Sequence, residues 1–310
     1  MTKVFIDGSS GTTGLRIHER LAERKDIELI ILPDNLRKDN NAIKDALNTC
    51  DIAYLCLPDD AAREAVTLLD SKDTVIIDTS TAHRTLDDWA YGFSELKGLK
   101  NKILGSKRIA NPGCHASGFI SLVAPLVFEG LIERDAQLTC FSLTGYSGGG
   151  KKMIADYEGS ERSSLLDAPR MYGISQAHKH LPEMTKITGL EKLPVFCPIV
   201  GDFYSGMEVT VSLFKDQLKG NINTIKEAYA DYYSAQDSLV HFNAAADENG
   251  FMSAGAFSGR DDMEVSVQGN EDRILLVSRF DNLGKGASGA AIQNMNLVMG
   301  IDGRTGLNLG

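Results

Sequence analysis

Two short stretches of this chain carry side chains capable of chemistry. The first is "ANPGCHASGF" (110–119), in which Cys114 follows Pro112-Gly113 and precedes an apolar run of helical spacing. A thiol in the first turn of a helix meets the positive end of the helix dipole, which favours the thiolate and prepares a nucleophile. Cysteines inside plain apolar patterns are packing residues, and Cys50, Cys56, Cys140 and Cys197 read that way. The second stretch is "QAHKHLPEM" (176–184), with His178 and His180 ahead of a proline and Glu183. On an extended segment these two rings share a face, Glu183 is placed to orient one, and either can be the acid/base a thiolate requires. His115 adjoins the cysteine, but successive helical side chains do not face each other, so the base is expected from the later pair.

Three further loops suit anions. "DGSSGTTG" (7–14) sets Gly8, Gly11 and Gly14 between a strand and a helix, with Ser10, Thr12 and Thr13 among them. Such a turn lets a pyrophosphate approach the backbone and the N–H groups of the helix start, although the spacing is GxxGxxG rather than GxGxxG. Downstream, Asp34 suits a ribose 2′-hydroxyl and hence NAD, whereas Arg37 and Lys38 suit a 2′-phosphate; the expected cofactor is NADP. "DTSTAHR" (78–84) closes a strand at its C-terminal end, where open α/β sheets place ligands. Ser80, with Pro58 after an earlier strand, is assigned to the cofactor, and Arg84 to the substrate. "TGYSGGGKK" (144–152) offers backbone N–H groups and Lys151 or Lys152 to an anion, or is a plain flexible connection.

The elements that must position these residues follow from periodicity. "KVFID", "IELIIL", "DIAYLCL" and "TVIIDTS" are apolar runs separated by amphipathic stretches, the signature of a parallel α/β sheet covered on both faces. Beyond residue 135 come "QLTCFSLTG", "LPVFCPIV", "MEVTVSLF", "SLVHF", "MEVSVQG" and "RILLVSRF", with "NTIKEAYADYYSAQ" the clearest helix among them. The expected fold is α/β: an N-terminal Rossmann-like dinucleotide-binding domain and a second α+β domain of mainly antiparallel sheet. The final helical stretch "GASGAAIQNMNLVMG" can return to the first domain. The expected boundaries are 1–113 plus 285–310 for the NADP-binding domain and 114–284 for a catalytic and dimerisation domain.

Composition narrows the class. With 310 residues, 43% hydrophobic and 24% charged, the chain has room for two cores. A net charge of −10 argues against general nucleic-acid or anionic-membrane binding, which need basic surface. Five widely spaced cysteines without a CxxC pair or zinc-ligand spacing imply reduced thiols in the cytoplasm and no metal site. No secretory signal or transmembrane run is read at the sequence level.

Taken in order, "GSSGTTG", "DTSTAHR", "NPGCHASG", "GYSGGGK", "HKHLPE" and "DNLGKGASGAAIQNMN" resemble the N-acetyl-gamma-glutamyl-phosphate reductases, particularly their short form (type 2), across residues 8 to 296. "NPGC" and "DNLGKGASG" are shared with aspartate-semialdehyde dehydrogenases, while "HKHLPE" points to the N-acetylglutamyl branch. The longer form carries patterns like "GASGYTG" and "DLSADFR" where this chain has "GSSGTTG" and "DTSTAHR", differences that suit the short form and bear on the contacts of Thr12, Thr13 and His83. The resemblance implies NADPH-dependent reductive dephosphorylation of N-acetyl-L-glutamyl 5-phosphate to the semialdehyde in arginine biosynthesis. Cys114 would form a thioester, with His178 or His180 as acid/base. Asn282 and Lys285 would lie near the nicotinamide, and Asn111, Ser147, Gly148 and Glu183 would join Arg84 at the substrate. The implied partners are a small acyl-phosphate substrate and phosphate, within a homo-oligomer, dimer or tetramer. The alternatives are an aspartate-semialdehyde dehydrogenase and a non-catalytic dinucleotide sensor; a sensor needs neither the cysteine nor the histidine pair.

Overall fold

Short apolar runs bounded by turn residues bury themselves best as strands of a sheet covered on both sides. A computed structural model describes all 310 residues, and they gather into two units, Met1–Pro112 with Ala287–Leu307, and Gly113–Gly286 with Asn308–Gly310.

The first unit contains β1 (Thr2–Asp7), α1 (Thr12–Ala22), β2 (Ile27–Ile30), α2 (Asn40–Thr49), β3 (Ile52–Leu55), α3 (Asp59–Thr67), β4 (Val75–Asp78), β5 (Ala90–Tyr91), α4 (Leu99–Leu104) and β6 (Arg108–Ala110). The strands form one sheet, in the order β2-β1-β3-β4-β6-β5, and every pairing is parallel. Local chemistry sets the helix starts. The Asp39 side chain accepts from Ala42 N at 2.9 Å to cap α2, and Asp59 and Asp60 complement the dipole in the first turn of α3. One face of the sheet buries Val4, Ile6, Ile52 and Ile77 against Ile17 and Leu21 of α1, and the other buries Phe5, Ala53, Leu55 and Ile76 against Leu47 of α2. The closing helix of this unit comes from the far end of the sequence. It is numbered α9 below (Gly289–Val298), and it adds Ala291, Ile292 and Met295 to the first of those faces.

The second unit contains α5 (Cys114–Phe128), β7 (Thr139–Gly145), α6 (Gly150–Glu158), β8 (Arg170–Met171), α7 (Leu181–Thr188), β9 (Val195–Gly201), β10 (Met207–Phe214), α8 (Ile222–Tyr232), β11 (Val240–Phe242), β12 (Met263–Gly269) and β13 (Arg273–Phe280). Its seven strands run β11-β12-β13-β10-β7-β9-β8. Most pairings are antiparallel, but β7 with β9 and β11 with β12 are parallel. Parallel neighbours need a long crossover. Between β7 and β9 that crossover holds α6, β8 and α7, two of them helices that the strand pattern does not announce.

α5 is apolar all round and buried along nearly its whole length, as a helix at the centre of a unit must be. It lies on Val209 of β10 and Phe280 of β13, and Tyr229 and Tyr233 at the end of α8 donate to the Leu122 and Ser121 carbonyls, the latter at 2.7 Å. No helix of the protein is long and apolar enough to cross a membrane. The helix approaches the sheet at Gly118, where an added Cβ would sit 2.4 Å from Val209 Cγ2 and 3.0 Å from Phe280 Cε1. Gly118→Ala is therefore expected to lower stability by about 1–3 kcal/mol through overpacking, read as a lower midpoint of denaturant unfolding. An unchanged midpoint would show that α5 can lift from the sheet at no cost.

Candidate active site

In the first unit, strand order reverses between β2 and β3 around β1, which opens a crevice at the C-terminal strand ends. Gly8 stands there with φ +80°, and an added Cβ would lie 2.2 Å from the Cys56 carbonyl oxygen, so only glycine fits. α1 begins at Gly11 without a side-chain cap and without an acidic residue in its first turn. Thr12 Oγ1 beside it is buried with no hydrogen-bond partner. Uncapped N–H groups and an orphaned hydroxyl form a cradle that fits the pyrophosphate of a dinucleotide. Ser10 is exposed and Thr13 half-buried in the same turn. Asp7, ahead of it, has its carboxyl pushed up to about 6 by burial. Arg37 is ion-paired with Asp34 at 2.9 Å on the surface, so these two candidates for the ribose hold each other, with Lys38 exposed next to them. Pro58 is the N-cap of α3.

The "DTSTAHR" loop is a buried polar network. Asp78 accepts from Ser80 N at 2.9 Å and Ser80 Oγ at 2.7 Å, and meets His83 Nδ1 at 2.6 Å. The His83 ring stacks on Trp89 at 4.0 Å. Arg84 donates from Nε to the Asn111 carbonyl and from Nη2 to the Thr79 carbonyl, at 2.8 and 2.9 Å. Asn111 donates to the Ala287 carbonyl and accepts from Asn294 Nδ2. Ser80, Arg84 and Asn111 thus come together, and these bonds give each a bracing task within the unit.

In the second unit, Cys114 is the first residue of α5, partly exposed, after the uncapped N-cap Gly113. The N–H of Gly113 donates to Glu183 Oε1 at 2.8 Å. Glu183, 1% exposed, lies in the first turn of α7, so the carboxyl expected at the substrate binds the backbone just before the cysteine. Pro182 stands in that same first turn, where its missing N–H costs nothing. His178 and His180 lead into α7 through a turn and not an extended strand, with His180 as its N-cap. The turn still brings their rings to 4.8 Å, and both lie within 6 Å of the His115 ring, at 5.9 and 5.6 Å. Burial depresses the His178 ionisation, with Lys179 adding to it, and pushes His115 down to about 3, with His178 adding to it. His178 Nδ1 accepts from the His180 backbone N–H at 3.2 Å, which leaves the proton of the neutral ring on Nε2.

Two residues that carry no spacing signal complete this cluster. Ser142 Oγ, on the core face of β7, meets His115 Nδ1 at 2.6 Å, and Tyr172 Oη meets His115 Nε2 at 2.6 Å. Tyr172 stands six residues before His178 in an aperiodic loop, which hid it from sequence reading. A separate group forms where Asn282 Nδ2 donates to Ser147 Oγ at 3.0 Å and Asn282 Oδ1 accepts from Gly206 N at 2.9 Å, with Gly148 alongside. "TGYSGGGKK" is ordered as a 3₁₀ turn feeding α6, and Lys151 and Lys152 are exposed on that helix. Lys285, 1% exposed, belongs to a π-helical turn (Gly284–Ser288), a form often found at functional sites. Its neighbour Gly286 packs so closely that an added Cβ would lie 2.9 Å from Cys114 Cβ. The other four cysteines are thiols too, and burial lifts Cys50 and Cys56 to about 12, as suits inert packing residues.

Residues 3–103 match the family described as semialdehyde dehydrogenase, NAD binding domain, and residues 114–282 match semialdehyde dehydrogenase, dimerisation domain. An N-acetyl-gamma-glutamyl-phosphate reductase of Brucella ovis is 45% identical over 307 residues, covering 96% of this chain and 99% of that protein. Among solved structures, aspartate semialdehyde dehydrogenase II of Vibrio cholerae, complexed with ASA, superposes with a TM-score of 0.70 at 15% identity, over 96% of this chain and 98% of that one. The aspartate semialdehyde dehydrogenase of Francisella tularensis does so with a TM-score of 0.70 at 17% identity, over 96% and 100%. At those identities the likeness is one of fold.

The neutral His115 has a consequence for stability. Its folded ionisation, near 3, lies below the ordinary 6.5, so its contribution is fully present above pH 6.5 and is lost as the pH falls towards 3. Between pH 7 and pH 5 this group alone is expected to cost about 2 kcal/mol. The check is a comparison with His115→Asn. Wild type should lose more stability than the variant over that interval, and equal losses would mean that His115 takes up a proton in the folded state.

Proposed function

This chain belongs to the N-acetyl-gamma-glutamyl-phosphate reductase family, and we propose that it reduces N-acetyl-L-glutamyl 5-phosphate with NADPH to the 5-semialdehyde and phosphate, as a step of arginine biosynthesis in the cytoplasm. The observation that carries the chemistry is the placing of Cys114 at an uncapped helix start, with the His178–His180 turn fastened to that start by Glu183. The thiolate of Cys114 attacks the acyl carbonyl, and first-turn N–H groups of α5 receive the developing oxyanion. The C–O bond to phosphate breaks with its electrons on the phosphate, leaving a thioester. NADPH, when bound, supplies the hydride that takes the thioester to the aldehyde level. Collapse of the thiohemiacetal returns the C–S electrons to Cys114 as thiolate and releases the aldehyde. Because the neutral His178 presents Nε2–H as a donor, it suits a negatively charged oxygen, and the acid/base role falls to His180.

The Gly8–Thr12 cradle is assigned to the dinucleotide pyrophosphate. Arg37 and Lys38 lie in the surface turn that would favour a 2′-phosphate, which Arg37 can meet only by exchanging Asp34 for it. Ser147, Gly148, Asn282 and Lys285 are retained as residues near the substrate and nicotinamide, and Arg84, Asn111 and Glu183 act by holding the loops that carry the site.

The protein is further proposed to be a homo-oligomer that joins through the seven-stranded sheet. Registered pairing puts Phe141, Val195, Cys197, Thr210 and Leu275 on the face opposite α5, and Phe141, Val195 and Leu275 are 45%, 54% and 40% exposed. An apolar face of that kind is normally covered.

Assayed in the oxidative direction with NADP and phosphate, the protein should turn over N-acetylglutamate semialdehyde, and Cys114→Ser should reduce the rate on the order of a thousandfold or more while NADPH binding persists. Turnover of aspartate semialdehyde alone would overturn the substrate assignment, and an active Cys114→Ser the mechanism. For the assembly, Phe141→Glu should lower the mass measured by sedimentation; an unchanged mass would place the subunit contact elsewhere.

A further inference from the structure

A carboxylate enclosed by protein must collect its donors there, and Asp281, 0% exposed directly after β13, collects four. Its Oδ1 accepts from Leu283 N at 2.6 Å and from Gly284 N at 3.1 Å. Its Oδ2 accepts from Ser205 Oγ at 2.8 Å and from Gly259 N. The Asp281 carbonyl takes a further bond, from Gly286 N at 3.0 Å. One residue thus closes the turn 281–286 on itself and ties it to two loops distant in sequence.

The rest of the turn is equally tight. Asn282 joins Ser147 to Gly206, and at Gly284 an added Cβ would fall 1.9 Å from the Arg260 carbonyl oxygen. The turn ends at Gly286, whose backbone lies against the cysteine. An added Cβ there would meet Cys114 Cβ at 2.9 Å, the Asp281 carbonyl oxygen at 3.1 Å and Phe280 Cε2 at 3.2 Å. Gly286 does not have a positive φ, so what this place asks of it is the lack of a side chain beside Cys114. A side chain has only a few staggered positions, and a wall fixed at its Cβ selects among them. The reacting sulfur gains by that choice, because a misplacement of about 1 Å can cost a hundredfold in rate. We propose that Asp281 is a positioning residue, whose carboxylate locks the 281–286 turn so that the Gly286 backbone bounds the Cys114 side chain and sets where the sulfur stands. Glu183 holds the peptide before the cysteine, and Asp281 holds what its side chain meets. The assignment rests on Cys114 being the nucleophile proposed above.

The test replaces Asp281 by asparagine in the full chain, which keeps the shape but turns an amide NH2 towards two donors. Oxidative turnover of N-acetylglutamate semialdehyde with NADP and phosphate should show kcat lowered about tenfold. Without substrate or cofactor, iodoacetamide should label the loosened Cys114 about fivefold faster than in wild type, at a pH where the thiol is ionised. Cys140, 0% exposed in β7, is the internal control and should stay unlabelled. If Asp281→Asn does not fold, Ser205→Ala, which removes one donor from Oδ2, takes its place with changes of about threefold in the same directions. Unchanged kcat, or a fall in kcat without faster labelling of Cys114, overturns the proposal. Labelling of Cys140 alongside Cys114 also overturns it, because the aspartate would then serve folding alone. Failure of the broader reading would look different, since wild type itself would then lack turnover.

Discussion

One hydrogen bond, from the Gly113 peptide to Glu183, holds together two stretches seventy residues apart in sequence. A bond to a carboxylate is worth roughly 1.5–3 kcal/mol, modest beside the burial of the unit's core. Its effect is geometric. It fixes the backbone that delivers Cys114 and the helix start that delivers His180, so nucleophile and histidine pair share one anchor. A carboxyl spent on substrate could not tie the two helix starts in this way.

The second constraint is that α5 has no polar face. A helix apolar all round must be enclosed, and enclosure at the sheet depends on the missing side chain of Gly118. His115 is the polar residue this enclosure traps near the nucleophile. Sealed among Ser142, Tyr172 and Phe196, it is denied a charge, and the same burial orders its hydrogen bonds along one line.

Much of the fold was legible because it rests on period and punctuation. Continuous apolar runs from "KVFID" to "TVIIDTS" could only pack as a doubly covered sheet, and Gly113 ahead of "CHASGF" marked a helix start. α6 and α7 were not legible, since one follows a glycine run and the other carries a proline in its first turn, both in short, mixed stretches. At the site, Cys114 and the histidine pair stood out by type and neighbours. Glu183 was seen, but its partner is a backbone amide, which leaves no trace in a sequence. Ser142 reads as any strand serine, and Tyr172 lies in a loop without repeat; only the strand register and the β8–β9 pairing bring them to His115. Ser80, Arg84 and Asn111 were expected to meet ligands, and the bonds found are to carbonyls and to Asp78, since buried polar groups are satisfied first by what surrounds them.

The position of α9 sets an order of events during synthesis. Its apolar side completes one face of the parallel sheet, yet it is encoded after some 170 residues of other structure. A ribosome therefore releases six parallel strands with one face of the sheet only partly covered while the entire second unit is made. Domains gain structure as they emerge, at about 5–20 residues per second, so that face waits on the order of ten seconds or more for Ala291, Ile292 and Met295. For that interval the nascent chain presents a hydrophobic surface that the finished protein never shows, and the cell's chaperones meet a substrate defined by the order of translation.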